Sequence, residues 1–254
     1  MKKLIIILTL FLLFLNSVQA GTVKAVTKDY KVLTKDKFTI AATLKYPKIK
    51  AKNEFQTVVL LHSLGYSSEW WQTLPDELLE KGYAVILIDL RGHGRSVYNS
   101  KLVRTSWKSL KNNAYAKYPD DIITMLDYIK SENKRIFFKQ WAFVGSDIGG
   151  STAIHVANKI AYKPKTIVLL SPVINAKGLF TPVKLAELNN IDILSIVGST
   201  DKTGKNTNSY LEKFAQSTYT EYVSTSNSNG MILLKNDENV IPLISSWIEE
   251  YLKK

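Results

Sequence analysis

Cysteine is absent from the 254 residues, histidine occurs three times, and acidic residues are outnumbered by basic ones, 22 against 34. Each shortage excludes something. Without cysteine there is no disulfide, no thiol nucleophile and no thiolate metal site, so packing alone must hold the fold. The histidines are His62, His93 and His155, with none later in the chain, so few side chains can serve as a base near neutral pH. The acid deficit leaves a formal net charge of +12. Specific nucleic-acid recognition would call for a basic stripe interleaved with aromatics. The nearest approach is Lys101, Arg104, Lys108, Lys111 and Lys117 with Trp107 and Tyr115. The remaining lysines are scattered, which suits a solvated surface in anionic surroundings and argues against a specific nucleic-acid partner.

Long apolar runs are also scarce, and the exception stands at the N-terminus. Lys2 and Lys3 precede a stretch from Leu4 to Leu15 interrupted only by Thr9, and Val18-Gln19-Ala20 follows. That run falls short of the roughly 20 apolar residues needed to cross a bilayer. The pattern predicts a signal peptide over residues 1–20 with cleavage near Ala20, and hence a secreted or periplasmic protein without stable membrane insertion. An uncleaved N-terminal anchor is the alternative. Residues 21–254 are long enough for a single α/β domain with a sizeable core, and carry about +10 once Lys2 and Lys3 are removed.

Beyond Thr22, strand-like and helix-like segments alternate. Val23–Val32 and Phe38–Tyr46 read as an opening antiparallel pair. Continuous apolar runs at Thr57–His62 and Tyr83–Leu90 are expected of strands buried on both faces. Ala142–Gly145, Thr166–Leu170, Ile193–Val197 and Glu221–Ser224 complete the strands. Helices are predicted over Trp70–Lys81, Tyr118–Lys130, Ile148–Ala161, Ser209–Ser217 and Val240–Leu252. Strands separated by helices imply a mostly parallel sheet of about eight strands with helices on both faces. The span between Ser171 and Ile193 is too short for a lid domain, so the site should be open.

Ligands in such sheets sit beyond the carboxyl ends of the strands. Four polar or glycine-rich turns converge there: LLHSLGYSSEWW (60–71), LIDLRGHGRS (87–96), FVGSDIGGS (143–151) and SIVGSTDK (195–202). Together they resemble the α/β-hydrolase fold, specifically its compact, lid-poor members related to dienelactone hydrolase and the serine aminopeptidases. Asp89-Leu90-Arg91-Gly92-His93-Gly94-Arg95-Ser96 fits that family's D-x-R-G-x-G-x-S turn in full. His62-Ser63-Leu64 fits its oxyanion segment, with serine where glycine is usual. The resemblance implies acyl-hydrolase ancestry, a small-molecule or ester-like ligand, no cofactor and no metal. It also implies oxyanion donors at the backbone N–H groups of Leu64 and Ile148, and a pocket near His62, Tyr66 and Trp70.

The catalytic positions depart from the family's pattern. Where G-x-S-x-G places a serine, Gly145 and Gly149 flank Asp147. Asp147 admits two readings: a carboxylate nucleophile with an unconventional base, or a residue that tolerates left-handed φ and caps the following helix. Asp201 stands where relatives place the acid that orients histidine. The histidine itself should precede Gly230, and Asn229 is there instead. Asparagine accepts no proton near neutral pH, so a degraded, slow or inactive site that still binds a ligand is one reading. An active ester, epoxide or halide hydrolase is the other. A cation held by Asp147, Asp201 and Asn229 is a third.

Overall fold

The computed structural model describes residues 24–49 and 54–253. The signal-peptide expectation therefore lies outside the described residues. The chain enters through β1 (Ala25–Leu33) and β2 (Thr39–Pro47), then β3 (Phe55–Leu61), α1 (Leu74–Glu80) and β4 (Ala84–Asp89). A long connection carrying the single turn α2 (Asn112–Tyr115) leads to α3 (Tyr118–Glu132), β5 (Ile136–Ser146) and α4 (Ile148–Lys159). β6 (Thr166–Leu170) follows, then a two-residue ribbon, β7 (Asn175–Ala176) and β8 (Leu179–Phe180), and α5 (Thr181–Ala186). β9 (Asp192–Gly198), α6 (Lys202–Leu211), β10 (Tyr219–Ser224), α7 (Leu233–Asn236) and α8 (Val240–Leu252) close the chain.

Eight strands form one sheet in the order β1-β2-β4-β3-β5-β6-β9-β10, antiparallel at β1–β2 and β2–β4 and parallel elsewhere. This is the expected α/β-hydrolase architecture. The two-residue period of a strand sends alternate side chains to opposite faces. Val59, Leu61, Ile86 and Ile88 thus join the cluster under α3 and α4, while Val58, Leu60, Val85 and Leu87 join the one under α1 and α8. In α8, Val240, Ile244, Ile248 and Leu252 recur every four residues and all are fully buried, which seats one face of the helix on the sheet.

Two helices differ from expectation. Trp70–Lys81 is broken into a 3-10 turn at Ser68–Trp71 and α1, because Gln72 adopts φ 52° and Pro75 restarts the helix in its first turn. The helix expected at Ser209–Ser217 instead begins at Lys202, where the Asp201 side chain accepts the Gly204 N–H at 2.7 Å. Only a 3-10 turn, Glu212–Phe214, continues it.

Candidate active site

β5 runs into α4 with one residue between them. That residue, Asp147, has φ 51° and ψ −116°, a backbone region that non-glycine residues enter only when their surroundings enforce it. Three backbone bonds do so: Asp147 N–H donates to Leu170 O at 3.0 Å, and Gly150 and Ser151 N–H donate to Asp147 O at 3.0 and 3.2 Å. The tightness of the turn explains Gly149, where an added Cβ would lie 2.0 Å from the carbonyl oxygen of Leu61.

The strain lifts the Asp147 side chain to the carboxyl edge of the sheet, where its Oδ2 accepts the Leu64 N–H at 3.3 Å. Burial pushes the carboxyl above its ordinary pKa, while the Leu64 and Ile148 N–H groups and the charge of Lys177 act the other way. The two backbone donors named from the sequence therefore converge on the carboxylate of Asp147 itself.

Asp147 opens onto a cleft of about 310 Å³ whose walls include Ser63, Leu64, Tyr66, Asp201 and Asn229. Asp201 caps α6. Asn229 is exposed and leads into Gly230, whose N–H donates to Ser171 Oγ at 2.8 Å. The loop bearing Asn229 is held to the end of β9 by Ser199 N–H, which donates to Ser226 O at 2.7 Å. Gly198 permits that approach, since a Cβ there would lie 1.9 Å from Ser228 O. Ser171, Pro172, Val173, Thr203 and Met231 also line the cleft. Sequence reasoning passed over them, although Ser171, directly after β6 and at φ 46°, carries the same strand-end signal as the four turns.

His62 and Trp70, expected near the pocket, do not line this cleft. His62 is fully buried; its Nδ1 meets Ser63 O at 2.8 Å and its Nε2 accepts the Leu90 N–H at 3.0 Å. Burial lowers its pKa to about 4. The neutral ring is a brace between the ends of β3 and β4. His93 is similarly engaged, with Nε2 accepting the Gly65 N–H at 2.9 Å and Nδ1 on Arg91 O at 3.1 Å. Trp70 is 44% exposed and packs edge-on against Tyr66, beside a second cleft of about 350 Å³ that His93, Arg104 and Trp107 line. His155 lies two turns into α4, near the Phe180 backbone, with its Nε2 buried and unpartnered. Ser146, the serine one position before the tip, is buried and accepts from Ser63 Oγ at 2.7 Å. Among the described residues no group of three or more His, Asp or Glu side chains is placed to hold a metal ion.

The family model of the S33 serine aminopeptidases matches residues 52–232. The chain belongs to this family. A 2-hydroxy-6-oxononadienedioate/2-hydroxy-6-oxononatrienedioate hydrolase from Escherichia coli is 27% identical over 142 residues, 55% of this chain. That match spans only 44% of the E. coli enzyme. The dienelactone hydrolase of Anabaena variabilis superposes with a TM-score of 0.66 at 16% identity, covering 89% of this chain and 99% of that one. An esterase from Pyrococcus furiosus superposes with a TM-score of 0.67 at 15% identity, covering 89% and 93%. The likeness to these solved structures concerns the fold, and the site must be judged on its own geometry.

Proposed function

We propose that this is an exported hydrolase-family protein, descended from acyl hydrolases, that binds a small ester-like ligand in the cleft at Asp147 and turns it over very slowly or not at all. The observation that carries this reading is that, among the described residues, no imidazole bonds to Asp147: His155, the one histidine with a free ring nitrogen, lies two turns into α4 beside the Phe180 backbone. Both ring nitrogens of His62 and of His93 are committed to backbone groups, and Asn229 stands ahead of Gly230. A triad acts as a unit, and losing its members costs on the order of 10⁴–10⁶ in rate. Backbone donors alone leave roughly 10³-fold over water, and here they are already engaged by a carboxylate.

Purified protein should therefore hydrolyse p-nitrophenyl esters no faster than a few times the buffer rate. The double variant Asp147→Ser, Asn229→His should raise that rate by at least about 10²-fold, because Asp201 already borders the same cleft. Efficient turnover by the unaltered protein, abolished by Asp147→Asn, would overturn the reading.

One observation favours a second reading. Asp147 Oδ2 is held by Leu64 N–H, which fixes the carboxylate at the cleft for attack on an alkyl carbon, with halide leaving or an epoxide ring opening as its oxygen takes a proton from water. The resulting ester would persist, because Asn229 cannot deprotonate water. A mass increase on Asp147 after exposure to alkyl halides or epoxides, in protein that does not turn them over, is the expected signature.

A further inference from the structure

From Leu90 to Pro119 the chain contains no aspartate or glutamate but carries Arg91, Arg95, Lys101, Arg104, Lys108, Lys111 and Lys117. Arg91, Arg95 and Lys117 are consumed by ion pairs with Asp36, Asp121, Asp29 and Asp89. Lys101, Arg104, Lys108 and Lys111 are exposed and enter no ion pair among the described residues.

The same segment presents apolar side chains to solvent. Tyr98 and Arg104 form an antiparallel bridge, and Asn99 N–H donates to Val103 O at 3.2 Å, so the chain doubles back in a small hairpin. Asn99 Oδ1 accepts from Lys101 and Val103 N–H at 2.9 and 3.0 Å and sets the tip. At that tip Leu102 is 80% exposed and Val103 55% exposed. The base of the arm is firm. Trp107 N–H donates to Gly92 O at 2.8 Å, Tyr115 OH donates to Trp107 O at 2.9 Å, and the indole stacks on His93. Ser100 N–H donates to Lys37 O at 2.8 Å, which brings another exposed lysine to the tip. Asp36, beside it, is already engaged by Arg91 and Lys117.

We propose that this arm is a docking surface for an anionic phospholipid bilayer, with Leu102 and Val103 entering the interfacial layer and Lys37, Lys101, Arg104 and Lys108 facing the headgroups. Charge complementarity selects an anionic surface, and the apolar tip selects a bilayer over a soluble polyanion, to which leucine and valine contribute little. The groove at the base of the arm shares Tyr66 with the Asp147 cleft, so docking would hold the mouth of that cleft near the membrane. The proposal does not depend on how Asp147 is read.

The cysteine-free chain allows a local test. Leu102→Cys, labelled with an environment-sensitive dye, is titrated with vesicles of equal phosphatidylglycerol and phosphatidylcholine. A blue shift is expected, lost in pure phosphatidylcholine and in 0.5 M salt. A dye on Lys213→Cys, ahead of β10 at the opposite sheet edge, should not shift. Because the signal arises at the tip, association through the N-terminal apolar run does not mimic it. Adding Lys101→Ser, Arg104→Ser and Lys108→Ser should raise the half-saturating lipid concentration about a hundredfold, roughly fivefold for each cation. No shift at residue 102, an equal shift on neutral vesicles, or an unchanged midpoint in the triple variant would each overturn the proposal. So would dye-silent binding to a soluble polyanion such as heparin that displaces the vesicles.

Discussion

Asp147 combines two unfavourable features, a left-handed-side backbone at φ 51° and a carboxyl whose burial raises its pKa. Asparagine tolerates the same backbone and fits the same space, so Asp147→Asn isolates the charge. Because the folded protein holds this proton more tightly than the unfolded chain does, stability falls as pH rises from the ordinary aspartate range through the raised value. Asp147→Asn should therefore have the higher melting temperature at pH 7, and the advantage should vanish below about pH 4. A variant equally or less stable at pH 7 would mean that the N–H groups of Leu64 and Ile148 outweigh burial. Such a result would also strengthen the case for a functional carboxylate. The residue types at positions 147, 201 and 229 were legible in the sequence, and the structure gathers all three at one cleft. That Asp147 turns onto the backbone donors was not, since it depends on a side-chain direction. The engagement of His62 by Leu90 N–H and Ser63 O was hidden for the same reason.

At the scale of elements, periodicity served well wherever a face is uniformly apolar. β4 and β6 are continuous buried runs, as is β3 from Thr57 onward, and α3 and α8 carry three- and four-residue spacing. Where helices are polar the signal failed. α6 reads Lys-Thr-Gly-Lys-Asn-Thr-Asn-Ser-Tyr-Leu, so its start is marked only by the Asp201 cap. The turn at Asp147 between β5 and α4 is the element on which the site depends most, and its tolerance is testable. In Gly149→Ala the new methyl would meet a main-chain oxygen, not a flexible side chain, so either β3 or α4 must shift. The expected cost is about 3 kcal/mol, measured by urea unfolding. Ile244→Ala, remote from the site on α8 and fully buried, should cost a similar 2–5 kcal/mol. The two should part in ligand binding. Gly149→Ala should disturb the cleft whenever it folds, whereas Ile244→Ala should leave it intact.

Across the whole molecule, one buried ionic knot joins parts that are far apart in sequence. Arg91, leaving β4, is 4% exposed and makes paired bonds to Asp121 at the start of α3, at 2.8 and 2.6 Å. It makes a second pair to Asp36, in the β1–β2 turn, at 2.7 and 2.9 Å. Tyr118 OH donates to Arg91 O at 2.9 Å. The antiparallel end of the sheet is thus tied to the helical layer above it, with Phe38 under the guanidinium at 4.5 Å. The D-x-R-G motif marked this arginine, but nothing in the sequence pairs it with Asp36 or Asp121. Burial raises the Asp121 pKa to about 6 even beside Arg91, so removing the arginine should raise it further. Arg91→Met should cost about 3–5 kcal/mol at pH 7.5, because a buried carboxylate is left without its counter-charge. The loss should shrink as pH falls toward 5.5, where Asp121 takes up its proton without strain. Arg91→Met with Asp121→Leu should recover most of the stability at pH 7.5, since replacing both partners removes the stranded charge. Urea unfolding at the two pH values distinguishes the outcomes. A single variant that matches the unaltered protein, or a double variant no better than the single, would show that the knot is not held together by this charge pair.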